Sequence, residues 1–62
     1  MYIVIRSDSA FSDRVLATYE TSEEALAYLT TLRVSCIEED PDYPGRYDGF
    51  GSDGCIYSIE KQ

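Results

Sequence analysis

The spacing of apolar residues predicts one amphipathic helix, which spans residues 21–36 (TSEEALAYLTTLRVSC). Thr21 and Glu24 have the separation of a capping box, in which each side chain satisfies an unpaired N–H of the first turn. Acidic residues at positions 23 and 24 also favour the positive end of the helix dipole. At about 100° per residue, one arc of about 160° gathers most apolar side chains, as in helices that pack on a sheet. That arc contains Ala25, Leu26, Tyr28, Leu29, Leu32 and Cys36, whereas the opposite side carries Glu23, Ala27, Thr30, Thr31 and Val34.

Three further segments have the composition or alternation of β-strands. Residues 2–6 (YIVIR) are rich in β-branched and aromatic side chains, and residues 14–20 (RVLATYE) alternate between a strongly apolar face and a mixed one. The turn-forming residues 7–13 predict a hairpin connection between them, in which Phe11 folds back onto the core. Residues 55–60 (CIYSIE) predict a third strand.

The order strand, strand, helix, strand predicts a single α+β domain of the ββαβ type over residues 1–62. A right-handed crossover through the helix would place the third strand beside the first, giving a three-stranded, mainly antiparallel sheet of order 2-1-3. The helix would cover one face of this sheet. The other face would expose some of Tyr2, Val4, Leu16 and Ile56, more apolar surface than a small monomer usually leaves in water. Either aromatic residues of the loop before the third strand, or a second copy of the chain, would cover it.

The segment between the helix and the third strand, IEEDPDYPGRYDGFGSDG, differs in composition from the rest of the chain. It contains both prolines and all four glycines, which predicts a long loop. Residues 38–53 carry six acidic side chains against Arg46 alone, and so hold five of the seven net negative charges. Loops of this length in a small domain are more often functional than incidental.

The motifs typical of cofactor and metal sites fail on their context. Residues 49–54 (GFGSDG) match G-x-G-x-x-G, but a strand rather than a helix follows, and Asp48 and Asp53 would repel a pyrophosphate. The same region lacks carboxylates at the first two ligand positions of a calcium loop. A loose divalent-cation site at Asp40, Asp42 and Asp48 is an unspecific alternative. We therefore expect no cofactor and no dedicated metal site.

Catalysis by the usual nucleophiles is also excluded. The chain contains no histidine, and Lys61 is its sole lysine, so nucleophile and base pairs of the Ser/His or Cys/His kind cannot form. Carboxylate pairs in the loop have no predicted pocket that would tune them for acid and base work. We therefore expect a protein that is not an enzyme.

Cysteine usage and the N-terminal residues bear on location. Two cysteines are too few for a secreted disulfide framework, and no basic segment precedes the short apolar run of residues 1–5. We expect a cytoplasmic protein in which Cys36 and Cys55 are reduced. The alternative is a bond between them that clamps the base of the acidic loop.

Charge indicates the kind of partner. Twelve acidic and five basic residues leave a net charge of −7, which repels nucleic acid and anionic lipid and attracts basic surfaces. Carboxylates of the loop can pair with arginines, and its Tyr and Phe rings can stack on guanidinium planes. The predicted partner-binding residues are Glu38, Glu39, Asp40, Asp42, Tyr43, Tyr47, Asp48, Phe50 and Asp53.

A very short acidic α/β chain with a tyrosine-containing acidic loop, here IEEDPDYPGRYDGF, resembles small phage-encoded inhibitors of host defence, including anti-CRISPR proteins and other DNA mimics. The resemblance implies a protein of the host cytoplasm that binds a basic nucleic-acid-binding protein and blocks it stoichiometrically, without catalysis. The alternative is a structural or assembly module that homodimerises, or docks on a larger protein, through an apolar sheet or helix face.

Overall fold

A computed structural model describes residues 1–8 and 13–62. The elements, in chain order, are β1 (Tyr2–Ser7), β2 (Asp13–Tyr19), α1 (Ser22–Thr31), β3 (Ser35–Glu39), β4 (Tyr47–Phe50) and β5 (Ile56–Lys61). The predicted strands at 2–6, 14–20 and 55–60 correspond to β1, β2 and β5, with ends that differ by one residue. The predicted position of Phe11 in the first connection lies outside the described residues.

The sheet has five strands in the order β2-β1-β5-β4-β3, and every neighbouring pair is antiparallel. The prediction of three strands in the order 2-1-3 is therefore wrong. β2, β1 and β5 do lie side by side, but the segment interpreted as a long loop supplies two more strands. The last strand of the chain thus becomes the middle strand of the sheet, and the class remains α+β.

The core lies between α1 and one face of the sheet. Val4 of β1 pairs with Ile59 of β5, and both are fully buried against Leu29 of the helix. Ala25, one turn before Leu29, is also fully buried, because residues four apart lie on the same helical face. The helix contacts β1, β2 and β5, so its packing holds the two ends of the chain together.

The helix begins at the predicted N-cap but ends earlier, and the Glu24 carboxylate accepts the Thr21 hydroxyl where the predicted capping box would have it accept the Thr21 N–H. Thr21 is the N-cap: its hydroxyl oxygen accepts the Glu24 N–H at 3.3 Å, and its hydroxyl donates to the Glu24 carboxylate at 3.1 Å. At the other end, Arg33 takes a left-handed conformation (φ 60°). Its N–H donates to Thr30 O at 3.1 Å, and the Val34 N–H donates to Leu29 O at 3.1 Å, the hydrogen-bond pattern of a Schellman motif.

This C-terminus corrects the predicted span of 21–36. Val34, predicted on the exposed side of a longer helix, is instead 9% exposed and packs in the core cluster with Leu29. Cys36, predicted in the buried arc, lies in β3 and is exposed. Ala25 and Leu29 are buried, and Leu26, Tyr28 and Leu32 are partly buried against the core, as predicted. The prediction failed because the helix reverses at an arginine, where the usual glycine signal is missing.

β3 and β4, with the sequences SCIEE and YDGF, mix strand-favouring residues with acidic residues and a glycine, which disfavour strands. Gly49 of β4 is buried, and a Cβ placed on it would lie 2.6 Å from Val34 Cγ1 and 3.0 Å from Ile37 Cγ1. The absence of a side chain therefore lets β4 approach β3 closely enough to seal this side of the core. Packing, rather than intrinsic propensity, explains these two strands.

The face of the sheet opposite α1 is called here the open face, because α1 is the only helix among the described residues. Ile5 is paired with Val15 on one side and Ser58 on the other, and Ile56 is paired with Phe50. Ile5, Phe50 and Ile56 lie next to residues that are buried on the helix side, so they point away from the helix. Val15, Phe50 and Ile56 are 58%, 59% and 45% exposed.

The open face differs in composition from the prediction. Tyr2, Val4 and Leu16 were expected on the uncovered side, but Val4 is fully buried and the other two pack against the helix-side core. Apolar residues occur on both sides of residues 2–6, so their alternation cannot indicate which side faces the helix. The structure assigns Ile3 and Ile5 to the open face, together with Ile56, for which the prediction was right.

Candidate functional site

Residues 40–46, between β3 and β4, form a turn ordered by its own hydrogen bonds. The Asp40 N–H donates to Arg46 O at 2.8 Å, and the Arg46 N–H donates to Tyr43 O at 3.0 Å. Two carboxylates brace the same turn: Asp40 Oδ1 accepts the Asp42 N–H at 2.9 Å, and Glu39 Oε2 accepts the Gly45 N–H at 3.1 Å. The predicted acidic loop is thus a structured hairpin.

Six of the nine predicted partner-binding residues line one concavity of about 410 Å³. We call it the acidic groove, and its lining consists of Cys36, Glu38, Glu39, Asp40, Pro41, Asp42, Asp48 and Phe50. Five of these eight residues carry carboxylates. Glu38 and Asp48 are direct cross-strand partners on β3 and β4, so two acidic side chains lie side by side, an arrangement that is unfavourable unless a cation compensates it.

The carboxylates of the groove differ in how many protein partners they have. Asp48 Oδ1 accepts the Ser58 hydroxyl at 3.0 Å, and Asp48 Oδ2 lies 3.8 Å from Arg46 Nε. Glu38 and Asp42 are exposed, and within the described part of the chain their carboxylates accept no hydrogen bond. Because an ionised carboxylate can accept several hydrogen bonds, even the braced groups keep acceptor capacity for a ligand.

Three predicted site residues lie outside the groove. Tyr43, at the tip of the turn, is 66% exposed and faces a second concavity. Tyr47 is partly buried against the helix-side core. Asp53 lies beyond the far end of β4, in the turn before β5, about 10 Å or more along the strand from the 40–46 turn.

Asp53 has a structural role that cannot be recognised from its position in an acidic segment. Its carboxylate accepts the Cys55 N–H at 3.0 Å, the Tyr57 hydroxyl at 2.9 Å and a guanidinium N–H of Arg6 at 3.3 Å. The hydrogen bonds from Cys55 and Tyr57, followed by Arg6, hold the pKa of Asp53 below its usual value. Burial, and then the Asp53 carboxylate, raise the pKa of Tyr57. Asp53 therefore has a structural role in this turn, and its predicted part in partner binding stays a prediction.

The second concavity, of about 500 Å³, has mixed charge. Asp42, Tyr43, Pro44, Arg46, Glu60 and Lys61 line it. The negative charges of Asp42 and Glu60 offset the positive charges of Arg46 and Lys61. Arg46 Nη1 lies 4.0 Å from Glu60 Oε1. This concavity is larger than the acidic groove, but its charge selects neither cations nor anions.

Cys36 and Pro41 line the groove without having been predicted as site residues. Cys36 has a positive φ of 56° and lies where the register between β3 and β4 shifts. This bulge turns its side chain outward, and a bulge of this kind leaves no signal in the residue pattern. Cys36 and Cys55 are both free, with Cys36 exposed and Cys55 buried.

Within residues 1–8 and 13–62, no three acidic or cysteine side chains are grouped closely enough to hold a metal ion. The G-x-G-x-x-G run begins inside β4 and ends in the turn before β5, with the Gly54 N–H donating to Gly51 O at 3.1 Å. None of the described helices has the length and apolar character needed to cross a membrane.

Comparison with known proteins gives no relative: no protein-family model, no curated protein and no solved structure matches this chain.

Proposed function

We propose that this chain is a non-catalytic protein that binds a positively charged surface of a nucleic-acid-binding protein through the acidic groove and thereby blocks it. The observation that carries the proposal is the convergence of five carboxylates and Phe50 on one concavity. Such a groove accepts Arg or Lys side chains, because carboxylates form charge-assisted hydrogen bonds with guanidinium groups and an aromatic ring stacks on them.

The acidic groove is held in its binding conformation by hydrogen bonds within the protein. Hydrogen bonds within the 40–46 turn hold Glu39 and Asp40 in place before any partner arrives, so little conformational entropy is lost on binding. The carboxylates of Glu38 and Asp42, which accept no hydrogen bond within the described residues, supply free acceptors. The net charge of −7 steers the chain toward basic surfaces and away from nucleic acid. Nucleic acid and this chain would then compete for one surface, as the resemblance to DNA mimics implies, and we assign this activity to the cytoplasm.

An oligo-arginine peptide of about nine residues tests the groove directly. We expect the variant Glu38→Gln with Asp42→Asn to bind it at least about tenfold more weakly, because a hydrogen bond to a charged group contributes about 1.5–3 kcal/mol. Binding by the natural chain should weaken between about 50 and about 300 mM NaCl, because salt screens exposed charges. Titration calorimetry measures both effects.

The matched control is Glu20→Gln with Glu23→Gln, which removes the same charge from exposed positions near the start of α1. We expect it to bind the peptide nearly as well as the natural chain. Equal weakening by both variants would show attraction to net charge alone and would contradict a groove-specific site.

The open face supports a second candidate, a small assembly module that homodimerises. Val15, Ile56 and Phe50 are each more than two-fifths exposed, and exposed apolar surface of this kind often marks an interface. Light scattering at high protein concentration decides the point: a mass of one chain would count against the dimer, and a mass of two would favour it.

A further inference from the structure

The acidic groove and the apolar part of the open face form one continuous surface. Cross-strand pairing gives a row of residues that runs from β2 to β3 through Val15, Ile5, Ser58, Asp48 and Glu38. With neighbouring strands about 4.8 Å apart, this row is about 19 Å long. It is aliphatic at the β2 end and acidic at the β3 end, where it enters the groove.

Phe50 connects the two parts. It lines the groove, it is 59% exposed, and it is the cross-strand partner of Ile56 on the open face. A ligand that placed a guanidinium group in the groove would therefore bring its neighbouring side chains over Ile56 and Ile5.

We propose that the open face is the docking surface for a basic amphipathic helix of the partner protein, with arginines in the acidic groove and apolar side chains on Val15, Ile5 and Ile56. This inference rests on the proposed function and specifies the partner's chemistry. The row is long enough for about three turns of helix, and one helix is about 10 Å wide. With α1 on the other face of the sheet, a helix on this face would add a third layer and cover the second apolar face.

Charge favours such a partner over a second copy of this chain. A twofold contact covering the whole row would place Glu38 and Asp48 against either the same carboxylates or the aliphatic residues of the other copy. Both arrangements desolvate or oppose negative charge and are unfavourable. A basic helix neutralises the acidic end and covers the apolar end at once.

Two synthetic helical peptides of about 18 residues test the inference. The first carries leucines along one face and arginines beside them, and the second has every leucine replaced by glutamine. We expect the natural chain to bind the leucine peptide at least about tenfold more tightly, because burial of aliphatic side chains adds to the charge contacts. The variant Val15→Ser with Ile56→Ser should lose this preference while it binds the glutamine peptide as the natural chain does.

The control Ala27→Ser changes an exposed residue on the outer side of α1 and should keep the preference. Both mutated residues of the open-face variant are already exposed, and circular dichroism checks that the variant folds. A preference that survives in the open-face variant, or is absent from the natural chain, overturns the inference. A natural chain that dimerises through Val15 and Ile56 and excludes the leucine peptide would overturn it in favour of a second copy.

Failure of the proposed function is a separate outcome, in which the Glu38→Gln, Asp42→Asn variant would bind both peptides as tightly as the natural chain.

Discussion

Gly49 is the residue on which the acidic half of the sheet depends. It is buried in β4, and an added Cβ would meet Val34 Cγ1 at 2.6 Å and Ile37 Cγ1 at 3.0 Å. A non-bonded separation of 2.6 Å is essentially never found for a Cβ atom, and 3.0 Å is already tight, so β4 or its neighbours must shift to admit a methyl group. The acidic groove depends on this contact, because Asp48 and Phe50 line the groove and flank Gly49 along β4.

We expect Gly49→Ala to lower the free energy of unfolding by about 2 kcal/mol, since extra atoms in a packed core cost about 1–3 kcal/mol. Urea denaturation measures the loss. The matched test is Val34→Ala, which removes the methyl group that the new Cβ would strike. The double variant should lose less stability than the two single losses combined. Strict additivity would mean that the contact between Gly49 and Val34 does not limit the site.

At the scale of the elements, the end of α1 determines where the rest of the chain goes. The Schellman motif at Leu29–Val34 stops the helix and returns Val34 to the core. Arg33 occupies the left-handed position of this motif, where a Cβ costs about 1–2 kcal/mol and glycine is usual. Arg33 thus carries backbone strain just before β3 begins.

We expect Arg33→Gly to raise the free energy of unfolding by about 1 kcal/mol, because glycine adopts the left-handed conformation without a steric cost. The increase is smaller than the full steric term, since glycine also has more freedom in the unfolded chain. Thermal and urea denaturation measure it. Arg33→Ala removes the same charge but keeps the Cβ, so it should give no comparable gain; equal gains from Gly and Ala would contradict the strain.

The elements that could be predicted are those with their own local signals. Thr21 and Glu24 indicate the start of the helix, and the alternation of residues 14–20 indicates β2. β3 and β4 carry only a weak signal, because the acidic residues and Gly49 disfavour strands and dilute the few residues that favour them. Pairing of β4 with β5 and the close packing of Gly49 on Val34 and Ile37 hold them in the sheet. Composition therefore indicated the acidic residues of the site but not the hairpin that gathers them.

Asp53 shows the limit of charge counting most clearly. It belongs to the same acidic run as the groove residues, yet its carboxylate is engaged by Cys55, Tyr57 and Arg6. Those partners lie far from it along the sequence or depend on a turn, so spacing alone cannot distinguish it from Asp42.

For the molecule as a whole, this network makes stability depend on pH in a defined direction. The pKa of Asp53 is lowered in the folded chain, chiefly by the Cys55 N–H and then by the Tyr57 hydroxyl. A group with a lowered folded pKa contributes stability that is present above its unfolded pKa, about 3.9 for Asp. That contribution is lost as the pH falls through the folded pKa. Protonation of Asp53 in acid should therefore weaken its contact with Arg6, which joins β1 to the turn before β5.

We expect Asp53→Asn to be less stable than the natural chain near pH 7, with the difference shrinking below about pH 4 as Asp53 itself becomes protonated. The asparagine oxygen can still accept the Cys55 N–H, so the comparison isolates the charge. Asp42→Asn removes the same charge from an exposed residue and should leave stability unchanged or slightly higher, because it reduces repulsion within an acidic chain. Urea denaturation at about pH 7, 5 and 3 measures all three proteins. A constant difference between Asp53→Asn and the natural chain across this range would show that the network stabilises the fold by shape alone.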